Sequence, residues 1–228
     1  DRITGQHRGV VSHNVEDARQ ALTSVFAKLI GDKEAAVREA TILAVGSLDI
    51  RSVNDALLKA LASDPAPVVR IAALTTLNGQ NYADMGEVVF SALKDKDQSV
   101  RMAALAIVPE LDLPVTQAVE MHDLLLQNGS TGEQQAAYLS LANVKAPEAY
   151  AVFAKQLQKL IDGNIAPEVQ LELVSAAEKI EAADVKALLE TYQNSKNKDE
   201  PVEVYRESLY GGDAMAGRTI FRFDNAAQ

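Results

Sequence analysis

The feature that most restricts this chain is a recurrence. Asp32 stands five residues ahead of Val37-Arg38, Asp64 five ahead of Val69-Arg70, and Asp95 five ahead of Val100-Arg101. The valines are spaced by 32 and then 31 residues. A period of that length marks stacked supersecondary units, not one closed core. Two degenerate copies come next at Gln134-Gln135 and Val169-Gln170, with Gly129 and Asn164 in the aspartate's place. Three residues after the valine column lie Ala40, Ala72, Ala103 and Ala137, a column that Glu172 breaks in the fifth copy. Five after it lie Ile42, Leu74, Leu105, Leu139 and Val174; eight after it lie Val45, Leu77, Val108, Ala142 and Ala177. Those offsets fall near one face of an α-helix, so each copy reads as the amphipathic second helix of a hairpin.

The spacing predicts a first helix before each copy, over 15–30, 52–62, 84–93, 115–127 and 147–161. The breakers between helices are in place: Gly31-Asp32, Asp64-Pro65, Asp95 to Asp97, Asn128-Gly129 and Gly163-Asn164. Pro67 and Pro167 sit where a first helical turn tolerates a missing N–H. Residues 183–193 form one more helix, and the polar run Asn194 to Glu200 stops it.

Composition agrees and excludes several functions. The chain of 228 residues is 47% hydrophobic but only 5% aromatic, without Trp, so its core is built from small aliphatics suited to closely packed helices. A net charge of -10 disfavours nucleic acid as a partner. The absence of cysteine excludes disulfides, thiol catalysis and thiolate metal sites in these residues. No apolar run is long enough to span a membrane. The first residues, Asp1 to Thr4, carry no signal-peptide pattern and read as the trimmed edge of a longer polypeptide.

The Asp-x4-Val-Arg pattern resembles HEAT and HEAT-like repeats across about 15–193, with three good copies among five. The fold expected is therefore all-α, an α-α superhelix (solenoid) of about five to six HEAT-like hairpins. The resemblance implies a ladder between neighbouring repeats, with Asp32, Asp64 and Asp95 as its acids and Arg38, Arg70 and Arg101 as its bases. Such an aspartate could cap the next helix while meeting an arginine of the adjacent layer. The alternative is that these charges are simple caps and solvated side chains. Both readings make them structural.

From Asn194 the composition shifts. Residues 194–209 read as a charged linker, and Tyr210-Gly211-Gly212-Asp213-Ala214-Met215-Ala216-Gly217-Arg218-Thr219-Ile220-Phe221 as a short helix capped by Asp213. This string, carried by Gly212, Asp213, Gly217, Arg218 and Phe221, resembles the opening helix of class I c-type cytochrome domains. The expected organisation is a lead-in at 1–14, the array at 15–193, the linker, and the opening of a cytochrome c-like domain at 210–228. The haem-attachment motif Cys-x-x-Cys-His is absent, so these residues hold no cofactor; the resemblance implies covalent haem c beyond Gln228. It also implies an exported, periplasmic parent in which a sugar-dehydrogenase-like propeller precedes the array.

Other constellations carry less. His7 and His13 lie six residues apart in the lead-in, too poor in carboxylates for a metal pair, and His122 reads as a surface histidine beside Asp123. No His-Glu-x-x-His, Gly-x-Ser-x-Gly or phosphate-loop pattern occurs. Gly211-Gly212 opens no phosphate loop, and acids such as Glu178 and Glu181 fit solvated faces. The functional expectation is a non-catalytic scaffold or protein-interaction module spacing a catalytic domain from a haem domain. Its partners would be intramolecular domains or a redox protein. The alternative is a free-standing HEAT-like adaptor, or a lyase or chaperone-type subunit with no redox role.

Overall fold

The structure, a computed structural model, describes residues 14–197 and 199–210, with single positions 212, 215, 218, 219 and 222. The described residues are helical and contain no strand. They divide into two compact units, residues 1–104 and 105–228. The first contains α1 (Val15–Leu29), α2 (Ala35–Ser47), α3 (Asn54–Ser63), α4 (Pro67–Gly79) and α5 (Met85–Ala92). Helix α6 (Gln98–Ile107) runs through the division. The second contains α7 (Val115–Asn128), α8 (Thr131–Leu141), α9 (Pro147–Ile161), α10 (Pro167–Ala177) and α11 (Ala183–Asn194), then a 3-10 segment, Glu203–Leu209.

Local chemistry sets the helix ends. Within a hairpin, the turn aspartate bends the chain back through an Asx turn: Asp32, Asp64 and Asp95 each accept the N–H two residues on, at 2.9, 2.9 and 2.7 Å. Those N–H groups precede the second helix, so the aspartates shape the turn and do not cap the helix. Pro67, Pro147 and Pro167 open α4, α9 and α10, where no N–H is needed. Between hairpins, α2 and α4 end on residues of positive φ, Asp49 at 47° and Asn81 at 51°; within the fifth hairpin, α9 ends on Gly163 at 75°. The next N–H reaches back five residues, as in Ile50 to Val45 and Tyr82 to Leu77, which satisfies a last-turn carbonyl.

Each unit stacks its hairpins in two layers. In the first, α2 packs on α4, while α1 and α3 pack on their own hairpin partners. Gly46 lets α2 and α4 approach; a Cβ there would stand 3.1 Å from Thr76 Oγ1. In the second unit, α8 packs on α10 in one layer, and α9 contacts both α7 and α11 in the other. The valine column and those five and eight residues after it supply most of the core; in the alanine column Ala72 and Ala137 are buried, Ala103 is half-buried and Ala40 is exposed. Ile42, Val45, Val69, Leu74, Leu77, Val100, Leu105, Val108, Val169, Val174 and Ala177 are all buried. Val37, on the first helix of its layer, is half-buried.

The fourth copy departs from the expected register. Leu139, placed in the column five residues after Gln134, is 41% exposed, while Tyr138 and Leu141 are buried. The buried set is recovered when the copy is anchored one residue earlier, on Glu133, which is fully buried. One residue turns a helix by about 100°, enough to move Leu139 off the inner face.

Two further expectations are corrected by packing. His122 is 1% exposed, on the face of α7 that also carries Met121 and Leu125, and is not a surface residue. The stretch read as a charged linker folds back: its 3-10 segment packs on α10, and Lys196 and Glu207 are buried.

These placements predict that Leu74→Ala or Leu141→Ala lowers the unfolding free energy by roughly 2–5 kcal/mol. Leu139→Ala should change it by no more than about 0.5 kcal/mol. Denaturant melts of the three variants check both the core and the corrected register.

Candidate functional site

The turn aspartates and the arginines six residues after them build a ladder. Arg38 on α2 donates from Nε and Nη2 to Asp64 Oδ2 and Oδ1 at 2.7 and 2.8 Å. Its Nη1 donates to the carbonyls of Asp32 and Lys33 at 2.8 and 3.2 Å. Arg70 on α4 repeats the pattern, forking onto Asp95 with both bonds at 2.8 Å and donating from Nη1 to Asp64 O at 2.7 Å. Arg101 donates to Asp95 O at 2.7 Å. Each arginine thus closes its own turn, and Arg38 and Arg70 also grip the turn of the next repeat. Asp32, which opens the series, shapes its own turn.

The rungs are buried; the Arg70 and Asp95 side chains are 2% and 12% exposed. The hydrogen bond to Asp64 raises the pKa of Arg38, and that to Asp95 raises Arg70, each against the opposing effect of burial. The Arg38 fork holds the Asp64 carboxyl below its usual value. Burial pushes Asp95 upward, but the Arg70 fork and the Asp97 N–H outweigh it and the net shift is downward. Along α3 and α5 a groove of about 620 Å³ runs past this rung, walled by Leu58, Leu61, Val88 and Ala92 with Lys94 and Lys96 at its edge.

The second unit keeps the geometry with neutral groups. Gln134 and Gln170 donate from Nε2 to the carbonyls of Gly129 and Ile165, five residues back, at 3.1 and 2.9 Å. Gln135 reaches the next repeat at Glu168 O, 2.7 Å away. Ser130 and Glu133 form a capping box, with the Ser130 N–H donating to Glu133 Oε2 at 2.8 Å. The Ser-x-x-Glu signature was the sequence signal for the register of this copy.

Two polar clusters have no counterpart among the sequence motifs. At the end of the array Lys196 Nζ lies 2.7 Å from Glu207 Oε1. Burial raises Glu207, but its hydrogen bonds to Lys196 and Tyr192 leave it below its usual value. Arg206 donates to the Tyr192 hydroxyl at 3.3 Å. Burial and the bond to Glu207 push that phenol up to about 12. In α7, His122 Nδ1 lies 2.7 Å from Ala118 O and Nε2 lies 2.9 Å from Ser140 Oγ. Of the tail residues, Gly212 and Arg218 are exposed, and Thr219 Oγ1 donates to Met215 O at 3.0 Å, one helical turn back. Asp213, Gly217 and Phe221, with His7 and His13, lie outside the described residues. No described helix is long and apolar enough to cross a membrane.

Residues 54–121 match a family model described as HEAT repeats. The match takes in Asp64, Arg70, Asp95 and Arg101 of the ladder. No curated protein matches the chain. Over those residues the chain is similar to HEAT repeats, in keeping with its stacked helical hairpins.

Removing one partner of a buried rung strands the other. Arg70→Met is expected to lower the unfolding free energy by roughly 3–5 kcal/mol. Gln134→Met, which deletes a neutral bond, should lower it by about 0.5–1.5 kcal/mol. Because the folded pKa values of Asp64 and Asp95 lie below that of a free aspartate, about 3.9, their contribution is complete above that pH. It is lost as pH falls through the folded values. An Asp64→Asn, Asp95→Asn double variant should therefore lose less stability than the parent between neutral pH and pH 2, as measured by urea melts across the range.

Proposed function

We propose that this chain is a non-catalytic helical-repeat scaffold that seats a c-type haem domain at its C-terminal end and spaces it from a catalytic domain in an exported redox protein. The carrying observation is the inverted polarity of the 3-10 segment. Its charged members face in: Glu207 is buried, and Arg206 and Glu203 are half-buried and paired at 3.2 Å. The apolar residues of and around it face out: Val202, Val204, Tyr205, Leu209 and Tyr210 are all exposed. A terminal repeat that ends in solvent needs a polar outer face. An apolar cluster of this kind marks a surface that something covers.

The residues after Tyr210 point to the occupant. Gly212 to Phe221, which resembles the opening helix of a c-type cytochrome domain, begins two residues after Tyr210. A domain starting there would lie against the cap that its own chain has just left. Haem c would be its cofactor, attached beyond Gln228. Export is implied because that attachment takes place outside the cytoplasm. The scaffold's partners are then neighbouring domains of the same polypeptide or a redox protein.

Extending the chain past Gln228 tests this. The continuation should spell Cys-x-x-Cys-His, and the extended protein should show a Soret band that survives denaturation. In it, Tyr205→Ser with Leu209→Ser should increase protease cleavage near residue 210 at least severalfold while leaving the array's own melt in place. A continuation without that motif overturns the haem reading and leaves a free-standing adaptor.

A further inference from the structure

The second unit holds a half-open cavity of about 210 Å³ that the scaffold reading does not use. Its walls are Val108, Leu111, Leu113 and Val115, and its polar end is His122, Ser140 and Asn143. We propose that this cavity is a recognition pocket for a phenol group, an uncharged aromatic ring carrying one hydroxyl donor.

The polar end fixes the donor sense. Ala118 O can only accept, so His122 Nδ1 carries the proton of the 2.7 Å bond. Nε2 is then bare, and Ser140 donates its hydroxyl hydrogen to it across 2.9 Å. The Ser140 oxygen keeps lone pairs and has no hydrogen left to give. Asn143 is exposed and spends one Nδ2 hydrogen on Leu139 O at 3.2 Å, which leaves its other Nδ2 hydrogen and its Oδ1 open to water. At the His122–Ser140 end the open capacity is thus that of an acceptor, on the Ser140 oxygen. Burial lowers the pKa of His122, which keeps the ring neutral and this arrangement intact at neutral pH.

The walls fix the rest. Among the described residues no Asp, Glu, Lys or Arg lines the cavity, so an ionised ligand would lose its hydration without a counter-charge. A cavity of about 150 Å³ holds benzene, so about 210 Å³ admits a ring with one polar substituent. A serine bonded to a histidine that a third group orients is also the signature of an activated nucleophile. Here the neighbouring N–H groups that could stabilise an oxyanion are already committed: Ala142, Asn143 and Val144 donate to Tyr138, Ser140 and Leu141. The pair is therefore assigned to binding. The proposal deepens the interaction-module reading, since a tyrosine side chain presents this group on a polypeptide, and it stands independently of any haem domain.

Methyl NMR of the intact chain, titrated separately with phenol, toluene, anisole and benzoate, tests it. Phenol should shift the methyls of Val108, Leu111, Leu113 and Val115. It should bind about fivefold tighter than toluene or anisole, the factor that one net hydrogen bond of about 1 kcal/mol supplies. Benzoate should not bind there. Ser140→Ala should bring phenol to the level of toluene, and Ala118→Leu, which fills the pocket, should abolish both. Blocked tyrosine (N-acetyl-tyrosinamide) shifting the same methyls assigns the group to a polypeptide; its exclusion while phenol binds assigns a free phenol. Equal binding of phenol and toluene, preference for benzoate, or no shift at those methyls with any probe overturns the proposal.

Discussion

A guanidinium taken out of water must find acceptors for its N–H groups, and the first unit is arranged around that demand. Arg70 is buried and spends its donors on two turns at once, the Asp64 carbonyl of its own hairpin and the Asp95 carboxylate of the next. Those two turns must then stand at a fixed separation. Apolar burial could not impose this, because it depends on area and tolerates a slide of one helix along another. A two-pronged bond does not tolerate it. The charge pair itself contributes little net stability once desolvation is counted. Its structural role is register, which explains why the same aspartate also shapes its turn through the N–H two residues on.

The second unit reaches the same geometry by softer means. Glutamine amides replace the guanidinium at the turn carbonyls, and a neutral contact from Gln135 reaches the next repeat. With no fork to hold the hairpins in step, other devices take over. The capping box on Ser130 fixes where α8 begins. The rings of Tyr138 and Phe153, with centroids 6.3 Å apart, link α8 to α9. Aromatic residues are scarce in this chain, and one such pair falls in the unit that lacks the arginine forks.

Legibility in the sequence divides along the same line. The ladder was legible because residue type and offset recur together, and the six first helices emerged within a residue or two of their observed bounds. In the fourth copy Gln134-Gln135 is by residue type the nearer counterpart of Val-Arg, so residue type alone sets the register one place late. Burial shows that a glutamate held by its cap occupies the valine's place. The acidic sequence neighbours of His122 suggest solvent, whereas helical geometry groups it with Met121 and Leu125. The cap at Lys196 and Glu207 was hidden for a deeper reason. The sequence between the two residues carries no apolar periodicity to announce the pairing, and its polar composition suggests solvent.

That cap finishes the array in a particular way. Stacked hairpins must finish somewhere, and the simplest finish turns a polar face outward. Here the chain instead buries Lys196 and Glu207 as an ion pair beside the Tyr192 hydroxyl, and places Tyr205 and Leu209 in water. Burying charge and exposing apolar surface together is costly for a free end, since neither half improves solvation. The arrangement is consistent if the outer face is itself an interior. The ionic cluster then fixes the angle at which the chain leaves the array, and the apolar cluster supplies the area that holds the next body in place. A scaffold that sets the distance between two other bodies needs both, because a directional joint without area is weak and area without a directional joint can slide.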